Sequence, residues 1–263
     1  MPVYFHVNSF TNVPYRGNPA EVVILTEDRP TAWMQQTAAE MGFSETAFVR
    51  QTQDGYSLRW FTPKVEVDLC GHATLATAHV LFQEGLLGKQ DVAYFQTLSG
   101  QLTAAWQDGW IHLDFPVYNP QPAEPPQAML TAVGVKPTAC VQEPGGRWLW
   151  EVATEQEVRN AKPDFQALGL QPGRGLILTA KTVQGDFDFI SRYFAPWVGI
   201  NEDPVTGSAH CLLAPYWAVK LSRLSFKAFQ ASTRGGELKV NLDGKRVHIF
   251  GQAVTIVKGS LLV

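Results

Sequence analysis

Arg59-Trp60-Phe61-Thr62-Pro63 returns as Arg192-Tyr193-Phe194-Ala195-Pro196, an offset of 133 (192 − 59). Shortly after each copy, Gly71-His72-Ala73 returns as Gly207-Ser208-Ala209, an offset of 136 (207 − 71). Each glycine opens an apolar stretch, His72–Glu84 and Ala209–Val219. Ala73, Leu75, Ala76, Ala78, Val80, Leu81 and Phe82 cover most of the first helix's circumference, and a helix apolar nearly all round is a buried one. Solenoid repeats have periods of about 20–50 residues. Two ordered echoes at this longer spacing, each leading into a buried helix, predict a duplicated domain. Pro215 lies inside the second stretch and cannot donate to the carbonyl of Cys211, so a kink or an early end is expected there.

Around these helices the chain alternates. Val3–Phe10, Ala20–Leu25, Thr46–Val49 and Tyr56–Phe61 read as strands. Thr31–Met41 reads as a helix with Pro30 near its start, where the missing N–H costs little. Three β-rich runs follow near 92–97, 101–106 and 110–115. Five prolines then fall between Pro116 and Pro126 and read as an extended linker. The boundary is placed there, giving domains at 1–118 and 119–251, with a strand at about 252–263 able to return to the first. Thr154 with Glu157 is a capping box.

The composition excludes several classes. With 263 residues, 45% hydrophobic and 17% charged, the chain can bury a substantial core. A net charge of −3 carries no footprint for nucleic acid or an anionic membrane. The start lacks a basic region followed by an apolar one, so no signal peptide is expected. No run of about 18 apolar residues exists, so no membrane span is expected. Cys70, Cys140 and Cys211 are an odd, widely spaced set without metal-ligand spacing, which fits reduced thiols in the cytoplasm. No dinucleotide fingerprint or P-loop is present, so no cofactor and no metal are expected.

The two Gly-opened helices carry the chemistry. A helix N-terminus offers unpaired N–H groups and about half a positive charge, which suit an anion such as a carboxylate. The first is preceded by Asp68-Leu69-Cys70, the second by Glu202-Asp203-Pro204-Val205-Thr206. His72 and Ser208 occupy equivalent places. Each has a plain alternative. Cys70 could be a small buried hydrophobe or a thiol activated by the helix dipole, His72 a cap, Asp203 a solvated loop carboxylate. Glu45, in Ser44-Glu45-Thr46-Ala47-Phe48-Val49, could be a surface carboxylate at a helix-to-strand turn. Beside apolar strand residues it could instead be partly buried, which would raise its pKa toward neutrality. Gly17-Asn18-Pro19 reads as a turn.

Taken in order, Gly17-Asn18-Pro19-Ala20, Ser44-Glu45-Thr46-Ala47-Phe48, Phe61-Thr62-Pro63 with Leu69-Cys70-Gly71-His72-Ala73-Thr74, and Glu202-Asp203-Pro204-Val205-Thr206-Gly207-Ser208-Ala209-His210 resemble the signature of the PhzF-like (phenazine biosynthesis-like) proteins. These group structurally with diaminopimelate epimerases and proline racemases, and the resemblance spans nearly the whole chain. It implies an α+β fold of two similar domains, each a barrel-like mixed sheet round a central helix, with the active site in the cleft between them. It implies a cofactor-independent isomerase, acting in a biosynthetic process and assembled as a homodimer, that moves a proton on a small carboxylate-bearing metabolite. In the family's phenazine member one glutamate moves the proton on a dihydro-hydroxyanthranilate. That glutamate matches Glu45, and its supporting groups match His72, Asp203 and Ser208. Asn18, Cys70, Gly71, Ala73, Gly207 and Ala209 would line the substrate. Two departures stand out. The group's epimerases use a cysteine at each helix, and only Cys70 is present here. The phenazine enzyme has no cysteine at the position of Cys70. A Cys70-dependent amino-acid racemase or epimerase, or a binding protein without activity, are therefore the alternatives.

Overall fold

The computed structural model describes residues 1–183 and 185–263, which divide into two compact units, 1–114 with 250–263 and 115–249. The chain's last strand thus belongs to the first unit, and the proline-rich stretch belongs to the second.

The first unit contains β1 (Val3–Ser9), β2 (Asn18–Leu25), α1 (Thr31–Met41), β3 (Thr46–Thr52), β4 (Gly55–Phe61), β5 (Glu66–Val67), α2 (Gly71–Gln83), β6 (Val92–Thr97), β7 (Gly100–Gln107) and β8 (Trp110–Pro116). The last strand of the chain, β18 (Ala253–Ser260), pairs antiparallel with β1. The sheet then runs β1, β2, β3, β4, β6, β7, β8, antiparallel except for the parallel pairs β2–β3 and β4–β6. Helix α2 touches β1, β2, β3, β7 and β18. A helix that meets strands from both ends of the sheet order is enclosed by that sheet. Its sequence demands this, since all but Gly71, His79 and Gln83 are buried. On the outer face, Met34 and Ala38 of α1 pack on Val23, Leu25, Phe48 and Phe61.

The second unit repeats the pattern. It contains β9 (Gln121–Pro122), α3 (Gln127–Val133), β10 (Ala139–Gln142), β11 (Arg147–Glu151), α4 (Glu155–Asn160), α5 (Phe165–Gly169), β12 (Gly175–Lys181), β13 (Phe189–Ala195), β14 (Ile200–Asp203), α6 (His210–Leu221), β15 (Ser225–Gln230), β16 (Gly236–Asp243) and β17 (Arg246–Gly251). Strands β10–β11 pair antiparallel, β11–β12 parallel, β12–β13 and β13–β14 antiparallel, β13–β15 parallel, and β15–β16 antiparallel. That is the order of β1, β2, β3, β4, β5, β6 and β7. Strands buried on both faces read as continuous apolar runs. Here Trp148, Trp150, Leu176 and Leu178 face the core under α3, α4 and α5, while Leu149 and Ile177 face α6.

Side chains repeat as well. Arg59 clasps Glu66 through Nε and Nη2, both at 2.7 Å, and Arg192 clasps Glu202 at 2.7 and 2.9 Å. Each guanidinium also lies over a ring two residues on, Phe61 at 5.1 Å and Phe194 at 4.8 Å. A planar fork matched to a carboxylate and stacked on a ring is specific to arginine, which is why this pentapeptide survives as the visible echo of the duplication. The capping box forms as expected, Thr154 and Glu157 exchanging hydrogen bonds at the start of α4.

The early end expected as one outcome at Pro215 does not occur: helix α6 continues to Leu221. The carbonyl that Pro215 leaves free, that of Cys211, accepts the Tyr118 N–H at 3.0 Å, so no acceptor is wasted. The proline-rich stretch 116–126 is tied to the rest of its unit at several points. Val117 and Tyr118 donate to Lys245 and Cys211, and β9 pairs with β10.

Candidate active site

In the first unit three sequence-predicted residues converge where α2 begins. Cys70 is the N-cap, in extended conformation, and His72 is the second helical residue. Glu45 stands immediately before β3, its carbonyl accepting the Glu21 N–H at 3.2 Å, so the ladder of β2 and β3 fixes its backbone. His72 Nε2 lies 3.2 Å from Glu45 Oε2, and Cys70 Sγ lies 3.6 Å from His72 Nδ1. Cys70 and His72 are buried, while Glu45 keeps 20% of its side chain exposed. Gly71 and Ala73 complete the first turn, whose N–H groups have no partners within the helix.

What holds this turn was only partly readable. Ser9, at the end of β1, donates to the His72 carbonyl at 2.7 Å, and Thr74 donates to the Cys70 carbonyl at 2.6 Å. Ser44, next to Glu45 in the chain, helps to hold the Glu45 carboxyl in its charged form. Gly17-Asn18-Pro19 is a turn only at Gly17, whose φ is +70°; Asn18 and Pro19 already belong to β2, and Asn18 is buried opposite Ser9. A Cβ on Gly17 would meet the Ser9 carbonyl oxygen at 2.2 Å. Gly17→Ala is thus expected to destabilise the fold by about 1–3 kcal/mol from the left-handed backbone and the clash. Pushing on Ser9 should also disturb His72, and a lowered denaturation midpoint together with a shifted His72 ring resonance would check both effects.

The electrostatics reverse two expectations. Burial pushes Glu45 up, but the His72 charge and hydrogen bonds from His72 and Ser44 outweigh it and hold the carboxyl below its ordinary 4.5. For His72, burial favours the neutral ring, yet the Cys70 sulfur and Glu45 carboxylate beside it keep its pKa well above 6.5. The expected lowering of the Cys70 thiol by the helix dipole also fails, because burial and the Glu45 charge push it up despite His72. Glu45 therefore rests as the carboxylate, with His72 beside it favouring that charge. A carboxylate placed in this way can take a proton from carbon and return it.

Asp203, Gly207, Ser208 and Ala209 belong to the second unit. Gly207–Ala209 form a 3₁₀ turn that leads into α6. Thr206 donates its hydroxyl to Asp203 Oδ2 at 2.5 Å, and its N–H goes to Gln230 Oε1 at 2.8 Å. Gln230 in turn donates to the Asp203 carbonyl at 2.8 Å. Arg147, buried and paired with Glu143 at 2.9 Å, donates to the Ser208 carbonyl at 3.2 Å. Neither Gln230 nor Arg147 had a local signal, because both act from distant strands. His210, next to the predicted Ala209, is wholly buried, and burial lowers its pKa to about 4.

The duplication is not symmetric at the carboxylates. When Arg59 is aligned on Arg192 through the strand registers, the position of Glu45 falls on Gly175. The space a side chain would take there is filled by the Tyr193 hydroxyl, 2.2 Å from an ideal Cβ. Asp203 in turn falls on Val67. Neither carboxylate is repeated: Glu45 stands just before β3, and Asp203 ends β14.

A family model described as phenazine biosynthesis-like protein matches residues 7–259. A protein of Halalkalibacterium halodurans named an uncharacterised isomerase is 48% identical over 263 residues, covering 100% of this chain and 98% of that one. The crystal structure of a PhzF-family phenazine biosynthesis protein from Enterococcus faecalis superposes with a TM-score of 0.95 at 39% identity, covering 100% and 99%. A probable proline racemase from Agrobacterium radiobacter, solved with bound carbonate, shares the fold with a TM-score of 0.64 at 13% identity, covering 100% and 93%.

Proposed function

The chain belongs to the phenazine biosynthesis-like family of isomerases, and from that premise we propose that it moves a proton between carbons of a small carboxylate-bearing metabolite, with Glu45 as the acid/base. The observation that carries this reading is the Glu45–His72 pair at 3.2 Å beside the first turn of α2, which has no side-chain cap. A substrate carboxylate would take the first-turn N–H groups of Gly71, His72 and Ala73, where backbone donors and the helix dipole favour an anion. That leaves the adjacent C–H toward Glu45. Glu45 removes the proton, the electrons delocalise toward the bound carboxylate, and the His72 cation stabilises the carboxylate before the transfer and eases its re-formation afterwards. The same oxygen then releases the proton to another carbon, so no second base is needed. Asp203, Ser208 and Asn18 are assigned to orienting the substrate.

A second reading, a racemase or epimerase using Cys70 with a carboxylate, is favoured by the Cys70 sulfur standing 3.6 Å from His72. Incubating the protein with a cell metabolite extract in deuterated water distinguishes the two. A proton shift gives carbon-bound deuterium with a moved double bond, and racemisation gives deuterium with inversion. Uptake by no metabolite would sink both.

A further inference from the structure

Glu45, Cys70 and His72 offer three ligand atoms within 4.8 Å of one another. We propose that this cluster is a binding site for a zinc ion, which occupies the site in place of the transferred proton and inhibits the enzyme. Tetrahedral zinc with bonds of about 2.3 Å to sulfur and about 2.0–2.1 Å to nitrogen and oxygen requires roughly 3.6 Å between sulfur and nitrogen and roughly 3.3 Å between nitrogen and oxygen. The structure holds Cys70 Sγ 3.9 Å from His72 Nε2, and Nε2 3.2 Å from Glu45 Oε2. All three ligand atoms lie within 4.8 Å of one another, and side-chain rotation of Cys70 and Glu45 would close them round the ion.

The chemistry of the donors agrees. Thiolate and imidazole select zinc over magnesium or calcium, whose preferred ligands are oxygens; binding releases the Cys70 thiol proton, and the extra proton of a charged His72 ring, to solvent, and one carboxylate then completes a charge-neutral set. Three protein ligands leave the fourth position open, as in catalytic rather than structural zinc sites. The side nearest solvent is that of Glu45, a fifth of whose side chain is exposed while the other two ligands are buried. The backbone behind them is fixed, since the carbonyls of Cys70 and His72 are held by Thr74 and Ser9. These ligands lie at 45, 70 and 72, so only folding brings Glu45 to the other two, and cysteine spacing could not reveal them.

The metal half of the proposal is independent of the reaction; the inhibitory half rests on the proton-transfer reading. Cobalt(II) titrated into metal-free protein serves as a visible stand-in for zinc. A thiolate-to-cobalt charge-transfer band and strong visible bands should saturate at about one ion per chain and be abolished by zinc. They should vanish in Cys70→Ser, and in His72→Gln affinity should fall by at least the roughly 10–100-fold that even outer-shell losses cost. A Cys140→Ser/Cys211→Ser variant, which leaves Cys70 as the sole thiol, should keep the bands. No charge-transfer band in the wild type, or its loss in that double variant, overturns the site, even if Cys70→Ser fails to fold. Zinc should also stop carbon-bound deuterium uptake. Cobalt bands with undiminished uptake in zinc would overturn the inhibition while leaving the metal site standing.

Discussion

Glu45→Gln is expected to lower turnover by about 10²–10⁴-fold, the usual worth of general acid–base catalysis, while substrate still binds. Gln keeps the size and can still accept a hydrogen bond from Ser44 and His72, but it cannot take a proton from carbon and give it back. Binding should survive because the first-turn N–H groups of α2 are backbone. His72 changes more than the substrate does. Without the carboxylate, one of the groups that raise its pKa is gone, and burial, the largest single influence, acts to discharge the ring. Its resonances should then titrate at lower pH in the variant. The measurement is deuterium uptake by the responsive metabolite, alongside a binding isotherm for the same compound. Cys70→Ser should cost much less, since the neutral thiol lines the turn without carrying the proton. Retained activity in Glu45→Gln together with a dead Cys70→Ser would transfer the base role to the thiol and make the racemase reading the correct one.

The duplication was legible because the residues that hold it are local and chemically unusual. An arginine two positions before an aromatic, on a strand opposite a glutamate, cannot drift without losing a fork, a stack and a pair together. The buried helices were legible for a similar reason, since Ala73–Phe82 leaves no polar face. The continuation of α6 through Pro215 was not legible. Its rescue comes from the Tyr118 N–H, nearly a hundred residues upstream, and no window of sequence holds both groups. The site divided along the same line. Cys70 and His72 are neighbours on one turn, and Glu45 was reached through its family motif. The sign of the Glu45 shift does not follow from its apolar neighbours. A buried carboxyl rises when nothing compensates, and the compensating cation sits 27 positions further along the chain (72 − 45). Pairing of this kind is a product of tertiary structure, and burial inferred from apolar neighbours cannot report it.

The counterpart substitution, His72→Gln, is expected to separate that cation from the burial it offsets. With the imidazolium gone, burial becomes the main influence on Glu45, and its pKa should rise above 4.5. The base form is the carboxylate, so activity is lost as pH falls through the Glu45 pKa. The acid limb of the pH–rate profile should therefore move to higher pH in the variant. The same pair governs stability, with opposite signs for its two members. Glu45, lowered in the folded state, adds stability that is present above its unfolded value of 4.5 and is lost as pH falls through the folded pKa. His72, raised in the folded state, adds stability that is fully present below its unfolded value of 6.5 and is lost as pH rises through the folded pKa. The wild-type advantage over His72→Gln should thus be greatest between pH 4.5 and 6.5 and shrink as pH climbs beyond 6.5. Removing one partner of a fully buried pair costs about 3–5 kcal/mol. Here the loss should fall below that, because Glu45 keeps a fifth of its side chain in contact with solvent. Denaturant titrations of both proteins across that range, with deuterium-uptake rates at the same pH values, give both readouts. An acid limb that stays in place would mean that His72 does not set the Glu45 pKa, and that the 3.2 Å contact is packing rather than an ion pair.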